Sequence, residues 1–162
     1  MNRVVISLAA GLLFSFSARS QLVKHNNIKF DFWMVKLSQF KETIKIYGTL
    51  YNPNADTVYL LTSSCDGMQY SLQYDSTKFN LTPFLVCNAS WPIIAKIPPE
   101  GKLDFTAHFK NLNKSKEIKL GFDLYEVDKS FYVDSPALRN YQIHHRNIKD
   151  RNIIWADVHR FE

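Results

Sequence analysis

The residues best suited to chemistry lie near the C-terminal end of the 162-residue chain. His144 and His145 are adjacent, and Asp157 and His159 are two positions apart, so on a strand the second pair would share one face. Imidazole nitrogens and a carboxylate can form an open metal site that activates water. This group predicts, as one hypothesis, a small metal-dependent hydrolase.

A structural explanation competes with that hypothesis. The histidines can lie solvated on a polar strand or loop, and Asp157 can pair with Arg151 or Arg160. The sequence contains no Gly-rich phosphate loop, nucleophile elbow, Cys-x-x-Cys or His-Glu-x-x-His motif. The pattern therefore favours a protein without catalysis and predicts no cofactor.

Aromatic side chains offer a second candidate site. Trp33, Tyr47, Tyr51 and Tyr59 lie near or on strand faces that their neighbours mark as outward. An exposed aromatic patch on a sheet can bind a glycan or a partner protein. The alternative is that these rings only pack under loops or pair across strands. The prediction from these residues is a binding surface for an unknown protein or glycan.

Cys65 and Cys87 are the only cysteines, and in an exported chain the simplest expectation is that they form one structural disulfide. A loop of that span would stabilise the fold by about 3 kcal/mol in the chain-entropy model. Two buried thiols or a nucleophilic cysteine are the alternatives, although neither position shows a helix start or a nearby base.

The N-terminus has the pattern of a cleavable secretory signal. One positive charge at Arg3 precedes an uncharged, mainly apolar run over residues 4–16, and Ala18-Arg19-Ser20 provides small residues at the cleavage spacing. Cleavage is expected before Gln21. A membrane anchor is the alternative, but the run is shorter than the ~20 residues that span a bilayer. We therefore expect a periplasmic or extracellular protein with no membrane insertion after cleavage.

The charge of the mature chain argues against a nucleic-acid partner. Removal of Arg3 and Arg19 lowers the formal net charge from +5 to +3. The sequence shows no clustered basic stripe of the kind that binds nucleic acid.

The elements that must position these residues are predicted to be strands, because apolar and polar residues alternate with period two along most of the chain. The clearest strands cover residues 28–32, 43–51, 57–63, 69–74, 103–109, 118–124 and 153–161. Asp66-Gly67 predicts a tight hairpin between the third and fourth of these, and the polar stretch 111–116 predicts another. Residues 81–87 and 92–97, broken by prolines, predict edge strands or loops.

Seven to nine short strands with frequent turns predict one all-β domain over residues 21–162. An immunoglobulin-like antiparallel sandwich is the expected architecture, and a small β-barrel is the alternative. Residues 130–150 have no clear period and predict a long loop with a short element around residues 138–143.

The stretch Ile44-Lys45-Ile46-Tyr47-Gly48-Thr49-Leu50-Tyr51-Asn52-Pro53, continued by Asp56-Thr57-Val58-Tyr59-Leu60, resembles the early strands of uncharacterised exported proteins of the Bacteroidetes type. It is also distantly similar to the immunoglobulin-like domain of BsuPI-type proteinase inhibitors. The resemblance covers about a quarter of the chain. It implies a fold and carries over no functional residue.

Three functional hypotheses follow from the sequence. The first is an exported, non-catalytic binding or structural module of the cell envelope. The second is the metal-dependent hydrolase. The third, suggested by the inhibitor resemblance, is an exported proteinase inhibitor that presents a loop at residues 88–92 beside Cys87.

Overall fold

The computed structural model describes residues 27–37, 42–82, 91–127 and 152–161. The predicted signal peptide, Cys87, His144, His145 and the whole 130–150 segment lie outside these ranges. The described ranges contain a 3-10 helix (Gly67–Ser71) and strands β1 (Lys29–Lys36), β2 (Thr43–Tyr51), β3 (Val58–Ser63), β4 (Leu72–Gln73), β5 (Phe79–Leu81), β6 (Pro92–Ile97), β7 (Lys102–Asn111), β8 (Glu117–Ile118), β9 (Gly121–Asp123), β10 (Ile153–Trp155) and β11 (His159–Arg160).

The first two strands form because their side chains alternate between a buried and an outward face. In β1, Phe30 and Phe32 are buried while the residues between them are exposed. In β2, the buried face carries Ile44, Ile46 and Leu50, together with Gly48. The period-two pattern therefore predicted the inward faces of both strands correctly.

The first layer is one antiparallel sheet in the order β1-β2-β7-β5. β2 pairs with β1 on one side and with β7 along its full length on the other. In an immunoglobulin fold, these strands correspond by chain order and position to A, B, E and D.

The second layer is assembled from shorter pairings that run into one another. β9 lies between β10 and β4, while β8 continues the same segment and pairs with β11. β3 joins the layer through the Leu60–Glu126 bridge and two backbone hydrogen bonds to residues 125–127, and it pairs with β6 on its other side. The resulting order matches an immunoglobulin C–F–G sheet with one added strand. β3 and β4 take the place of C, β8 and β9 that of F, and β10 and β11 that of G, while β6 is the added strand beside β3.

The two layers pack face to face through aromatic rings. Phe122 of β9 lies 5.7 Å from Phe30 and 5.4 Å from Phe105, measured between ring centroids, and both of these belong to the first layer. Phe105 lies directly over Gly48, where a Cβ atom would stand 2.4 Å from the ring. The absence of a side chain at Gly48 thus makes room for the ring that joins the layers. Both layers end in edge strands over the described residues, so the all-β sandwich prediction is confirmed and the barrel alternative is not.

Both predicted hairpins are wrong. β3 pairs with β6 rather than with β4, because the chain turns into the 3-10 helix after residues 64–66. Asp66 adopts a left-handed conformation with φ 49° and ψ 30°, but Gly67 does not have a positive φ, so the type I′ turn expected of Asp-Gly does not form. The stretch 112–116 does not return β7 onto a neighbour. It carries the chain from the first layer into β8 of the second layer.

The side chain of Asn52 links two turns at one end of the sandwich through hydrogen bonds. Its side chain is fully buried, and its Nδ2 donates to the carbonyls of Asp56, Ile97 and Pro98 at 2.8, 3.0 and 3.1 Å. Its Oδ1 accepts from the backbone N–H and the side-chain amide of Asn54 at 3.0 and 2.8 Å. The β2–β3 turn is therefore held against the start of the β6–β7 turn.

Candidate functional site

An aromatic pair stands on the outer face of the first layer. Trp33 of β1 and Tyr47 of β2 are register partners, and their rings stack at 3.9 Å between centroids with planes 5° apart. Trp33 nevertheless remains 55% exposed. Lys45 Nζ lies 4.7 Å from the Tyr47 ring centroid, within cation–π range. The pair thus presents an exposed aromatic surface with one ammonium group beside it.

This pair lines an open groove of about 870 Å³ that extends across β7 to the 3-10 helix and β6. The volume lies within the ~300–1,000 Å³ typical of small-molecule sites. The groove has an apolar part formed by Met68, Ile93 and Ala95. Polar residues also line it: Thr49, Thr62, Ser63, Asp66, Gln69, Lys102, Asp104 and Thr106.

The register between β2 and β7 brings the polar groups next to the aromatic rings. Tyr47 lies opposite Thr106, and Thr49 lies opposite Asp104. Thr49 Oγ1 donates to Asp104 Oδ1 at 2.6 Å, which fixes the carboxylate beside the groove. Oδ2 of the same carboxylate lies outside this hydrogen bond and can accept from a ligand.

A second carboxylate enters from the other side of the groove. Asp66 precedes the 3-10 helix in a left-handed conformation, and its side chain makes no capping hydrogen bond to that helix. Aspartate is among the few non-glycine residues that adopt this conformation routinely. The carboxylate therefore enters the groove lining without a capping role.

Two buried polar groups line the inner part of the groove. Gln69 is 2% exposed and Thr62 is 8% exposed. Neither Gln69 Nε2 nor Thr62 Oγ1 has a hydrogen-bond partner among the described residues. Leaving such a group unpaired costs about 1–3 kcal/mol. Both atoms are closed to solvent, so they lie behind the groove surface rather than on it.

Gly67 allows the 3-10 helix to approach β3 closely above those groups. A Cβ atom at Gly67 would stand 2.4 Å from Ser63 Oγ and 2.5 Å from Thr62 Oγ1. The helix therefore packs directly on the hydroxyl-bearing end of β3 and forms this side of the groove.

His108 lies on the outer face of β7, and its pKa reflects the charges around it. It lies opposite Lys45 in the register with β2. Burial lowers the pKa of His108 from its ordinary value of 6.5, and the positive charge of Lys45 lowers it further, while Asp66 acts in the opposite direction. The imidazole is thus disfavoured in its charged form next to a face that already carries an ammonium group.

The structure brings together two of the four predicted binding aromatics. Trp33 and Tyr47 form the stacked pair, whereas Tyr51 lies at the far end of β2, opposite Lys29 and Lys102. Tyr59 belongs to β3, in the other layer, and lies opposite Lys96. Neither Tyr51 nor Tyr59 lines the groove. The four rings therefore do not share one surface, because Tyr59 belongs to a different sheet, and their role in binding stays a prediction.

The predicted metal ligands are only partly described. Asp157 is exposed in the connection between β10 and β11 rather than on a strand with His159. The His159 ring packs on Phe32 at 4.2 Å, and its Nε2 lies 3.9 Å from Asp31 Oδ1. In the part of the chain that the structure covers, no three metal-binding side chains come together. His144 and His145 lie outside that part, so the four-residue metal site stays a prediction.

Arg160, one of the predicted partners of Asp157, instead pairs with Glu117 at 3.8 Å. Arg151, the other predicted partner, lies outside the described residues.

The cysteine predictions remain open in the same way. Cys65 lies in the turn between β3 and the 3-10 helix, and Cys87 falls in the 83–90 segment, outside the described residues. Most of the predicted inhibitor loop, residues 88–92, falls in that segment as well. Its described end is anchored, since Ser64 N–H donates to the Trp91 carbonyl at 2.8 Å and Ser64 Oγ accepts from Trp91 N–H at 3.1 Å.

Sequence reasoning missed the polar half of the groove. Asp104 and Thr106 were recognisable as the outward residues of β7 from their alternation with apolar neighbours. Their position beside Tyr47 depends on the β2–β7 register, which one sequence does not specify. Thr62 and Gln69 carry no sequence signal, because residue type alone does not show that a polar side chain is buried without a partner.

Comparison with known proteins adds no relative to this picture. No protein-family model matches the chain, and no curated protein sequence matches it. Among the described residues, no helix is long and apolar enough to span a membrane.

Proposed function

We propose that this chain is an exported, non-catalytic binding module of the cell envelope and that it holds its ligand in the groove beside Trp33 and Tyr47. The observation that carries this proposal is the exposed, stacked aromatic pair at a groove lined by polar groups. Trp91 and Trp155 are also at least half exposed, so the distinguishing feature of Trp33 is its stacking on Tyr47 beside the polar groups of the groove. The signal-peptide pattern of residues 1–20 supports export.

The arrangement of the groove supports binding rather than turnover. Its lining residues contribute hydroxyls, two carboxylates, an amide and a lysine, but no cysteine or histidine. A nucleophile activated by a neighbouring base needs a hydrogen-bonded pair such as Ser–His or Cys–His. The lining supplies aromatic area and polar contacts, which provide affinity and orientation.

The proposal is tested by native mass spectrometry of the chain purified from the envelope of the cell that makes it. Wild-type protein, Trp33→Ala and Trp155→Ala are compared. Trp155 is the matched control, because it is 50% exposed, lies under a lysine as Tyr47 does, and does not line the groove. We expect the wild type and Trp155→Ala to retain an envelope component that Trp33→Ala loses. We also expect the mature chain to begin at Gln21.

Three results would overturn the proposal. They are a wild-type chain that retains nothing, equal retention by Trp33→Ala, and an N-terminus that still carries residues 1–20. Retention of a stoichiometric metal with hydrolytic turnover that is lost in His159→Ala would replace it with the hydrolase hypothesis.

A further inference from the structure

We infer that the ligand of this groove is a neutral oligosaccharide of pyranose rings, with Trp33 as the stacking surface and Asp104 as the principal hydroxyl acceptor. This inference rests on the proposed function and identifies the class of ligand. Four features support it: the shape of the aromatic pair, the charges around it, the polar groups beside it and the unpaired groups on the inner wall.

The aromatic pair presents one flat surface rather than an enclosing cage. Tyr47 covers one face of Trp33 at 3.9 Å and lies between Trp33 and Thr106 in the strand register, so the free face of Trp33 points away from β7. A single sugar ring cannot stack on that face and reach Asp104, so the ligand must be a chain of rings that crosses the aromatic pair. A pyranose ring has an apolar face of C–H bonds, and the partial positive charge of those hydrogens is attracted to the negative face of an aromatic ring. A cage of several ring faces, which a quaternary ammonium group requires, is not formed by a pair whose members cover each other.

The charges in and beside the groove favour a ligand without net charge. Asp66 and Asp104 would repel an anion. Lys45 already lies over the Tyr47 ring at 4.7 Å, and Lys102 lines the groove, so a cationic ligand would meet like charge at the aromatic end. With two carboxylates, one lining lysine and Lys45 alongside, the local charges nearly balance.

The polar groups suit a ligand rich in hydroxyls. Asp104 is fixed by the 2.6 Å hydrogen bond from Thr49, which leaves Oδ2 to accept a sugar hydroxyl. Hydrogen bonds to a carboxylate are stronger than those between neutral groups. Thr106 is the register partner of Tyr47 and provides a hydroxyl that can donate or accept next to the ring.

The inner wall supplies a second, independent indication of a ligand. Gln69 is 98% buried and its Nε2 has no partner among the described residues, and the same holds for the nearby hydroxyl of Thr62 on this wall. Both atoms are closed to solvent, so a hydroxylated ligand satisfies them only if the Gln69 side chain turns towards the groove. A ligand that is both apolar on one face and hydroxylated on its edges matches the two walls of the groove.

Isothermal titration calorimetry of the mature chain with neutral oligosaccharides of two to six units tests the inference. The probes are cello-, malto-, manno- and chito-oligosaccharides. We expect at least one series to bind with affinity that rises with chain length, without release of shorter sugars. Trp33→Ala should weaken binding at least about tenfold, Asp104→Ala about five- to tenfold, and Trp155→Ala less than about twofold.

Gln69→Met separates a ligand-binding role from a structural one. Replacing an unpaired buried amide with an apolar side chain of similar size should leave stability unchanged or raised. If Gln69 serves the ligand, the same change should weaken binding about fivefold while the urea midpoint holds or increases. Unchanged oligosaccharide affinity in Gln69→Met would remove the inner wall from the site.

The outcomes also distinguish this inference from the proposed function. If no neutral oligosaccharide binds but an envelope protein is retained in a Trp33-dependent manner, the module binds a protein and the saccharide inference fails alone. If neither is retained, both fail. Oligosaccharide binding that is equally strong in Trp33→Ala and the wild type would contradict the assignment of the site.

Discussion

Replacing Asn52 with alanine should destabilise the fold more than any single exposed substitution. The amide has two N–H donors and an oxygen that accepts twice, so four hydrogen bonds are lost even though Nδ2 lies near three carbonyls. At a net value of about 1 kcal/mol each, the expected loss is about 4 kcal/mol. That is a large part of the ~5–15 kcal/mol that stabilises a typical domain.

Equilibrium urea denaturation followed by tryptophan fluorescence measures this loss. With a denaturant slope of about 2 kcal/mol per molar, the Asn52→Ala midpoint should fall by about 2 M. Asn52→Asp should cost at least as much, because a buried carboxylate would replace the amide donor that faces the three carbonyl oxygens. Asn113→Ala is the control, since it loses one exposed hydrogen bond to the Thr77 carbonyl. A loss below about 1 kcal/mol in Asn52→Ala would refute the claim that this side chain fastens the two turns.

Three further predictions concern single positions. Gly48→Ala should lower the free energy of unfolding by about 1–3 kcal/mol, because its Cβ would overlap the Phe105 ring. In urea denaturation, the double variant with Phe105→Leu should recover part of that loss. If the losses of the two single variants simply add in the double variant, the proposed clash is contradicted. Glu100→Gly should raise the free energy of unfolding by about 0.5–1 kcal/mol in urea denaturation, because Glu100 has a φ of 51°, which glycine adopts without strain. A lower free energy of unfolding would show that the Glu100 side chain stabilises the fold. Lys45→Gln should raise the pKa of His108 in an NMR titration, because burial lowers that pKa most and the lysine charge lowers it further. An unchanged pKa would show that the lysine charge is not one of its causes. Since the folded-state pKa lies below 6.5, the unfolded chain binds the proton first, so His108 should reduce stability as the pH falls from about 6.5 towards the folded value.

Faces of strands were predictable from the sequence, whereas strand partners were not. Alternation identified Phe30, Ile44 and Ile46 as inward and Tyr47 as outward, because a half-buried strand must separate its side chains in this way. The Asp66-Gly67 hairpin prediction is wrong because the type I′ turn expected of Asp-Gly needs a positive φ at both residues, and here only Asp66 has one. Which strands pair within a sheet is decided by long-range packing, which local turn residues do not determine.

The candidate site was likewise predictable from the sequence only in part. Trp33 and Tyr47 were identified from residue type and outward position. Their stacking at 3.9 Å, and the hydrogen bond between Thr49 and Asp104 beside them, depend on the registers of β1 and β7 against β2. A residue's face follows from its near neighbours, but its cross-strand partner lies tens of residues away.

The fold accounts for the location of the groove. β1 is an edge strand of the first layer, so a ring on its outer face can remain exposed even though its partner covers one side. The β3–β4 connection, with its 3-10 helix, brings Asp66 and Gln69 to the opposite wall. The sandwich thus supplies the aromatic pair with Asp104 and Thr106 beside it, and the connection supplies Asp66 and Gln69.

The most direct test of the central claim is a two-dimensional proton–nitrogen NMR titration of the mature chain with the tightest-binding oligosaccharide. The chain has three tryptophans, so three indole N–H signals can be assigned by single substitutions. The account predicts that the Trp33 signal shifts progressively to saturation, with the amides of residues 102–106, while the Trp155 signal stays in place. Saturable binding that moves the Trp155 signal and leaves the Trp33 signal unchanged would contradict the account.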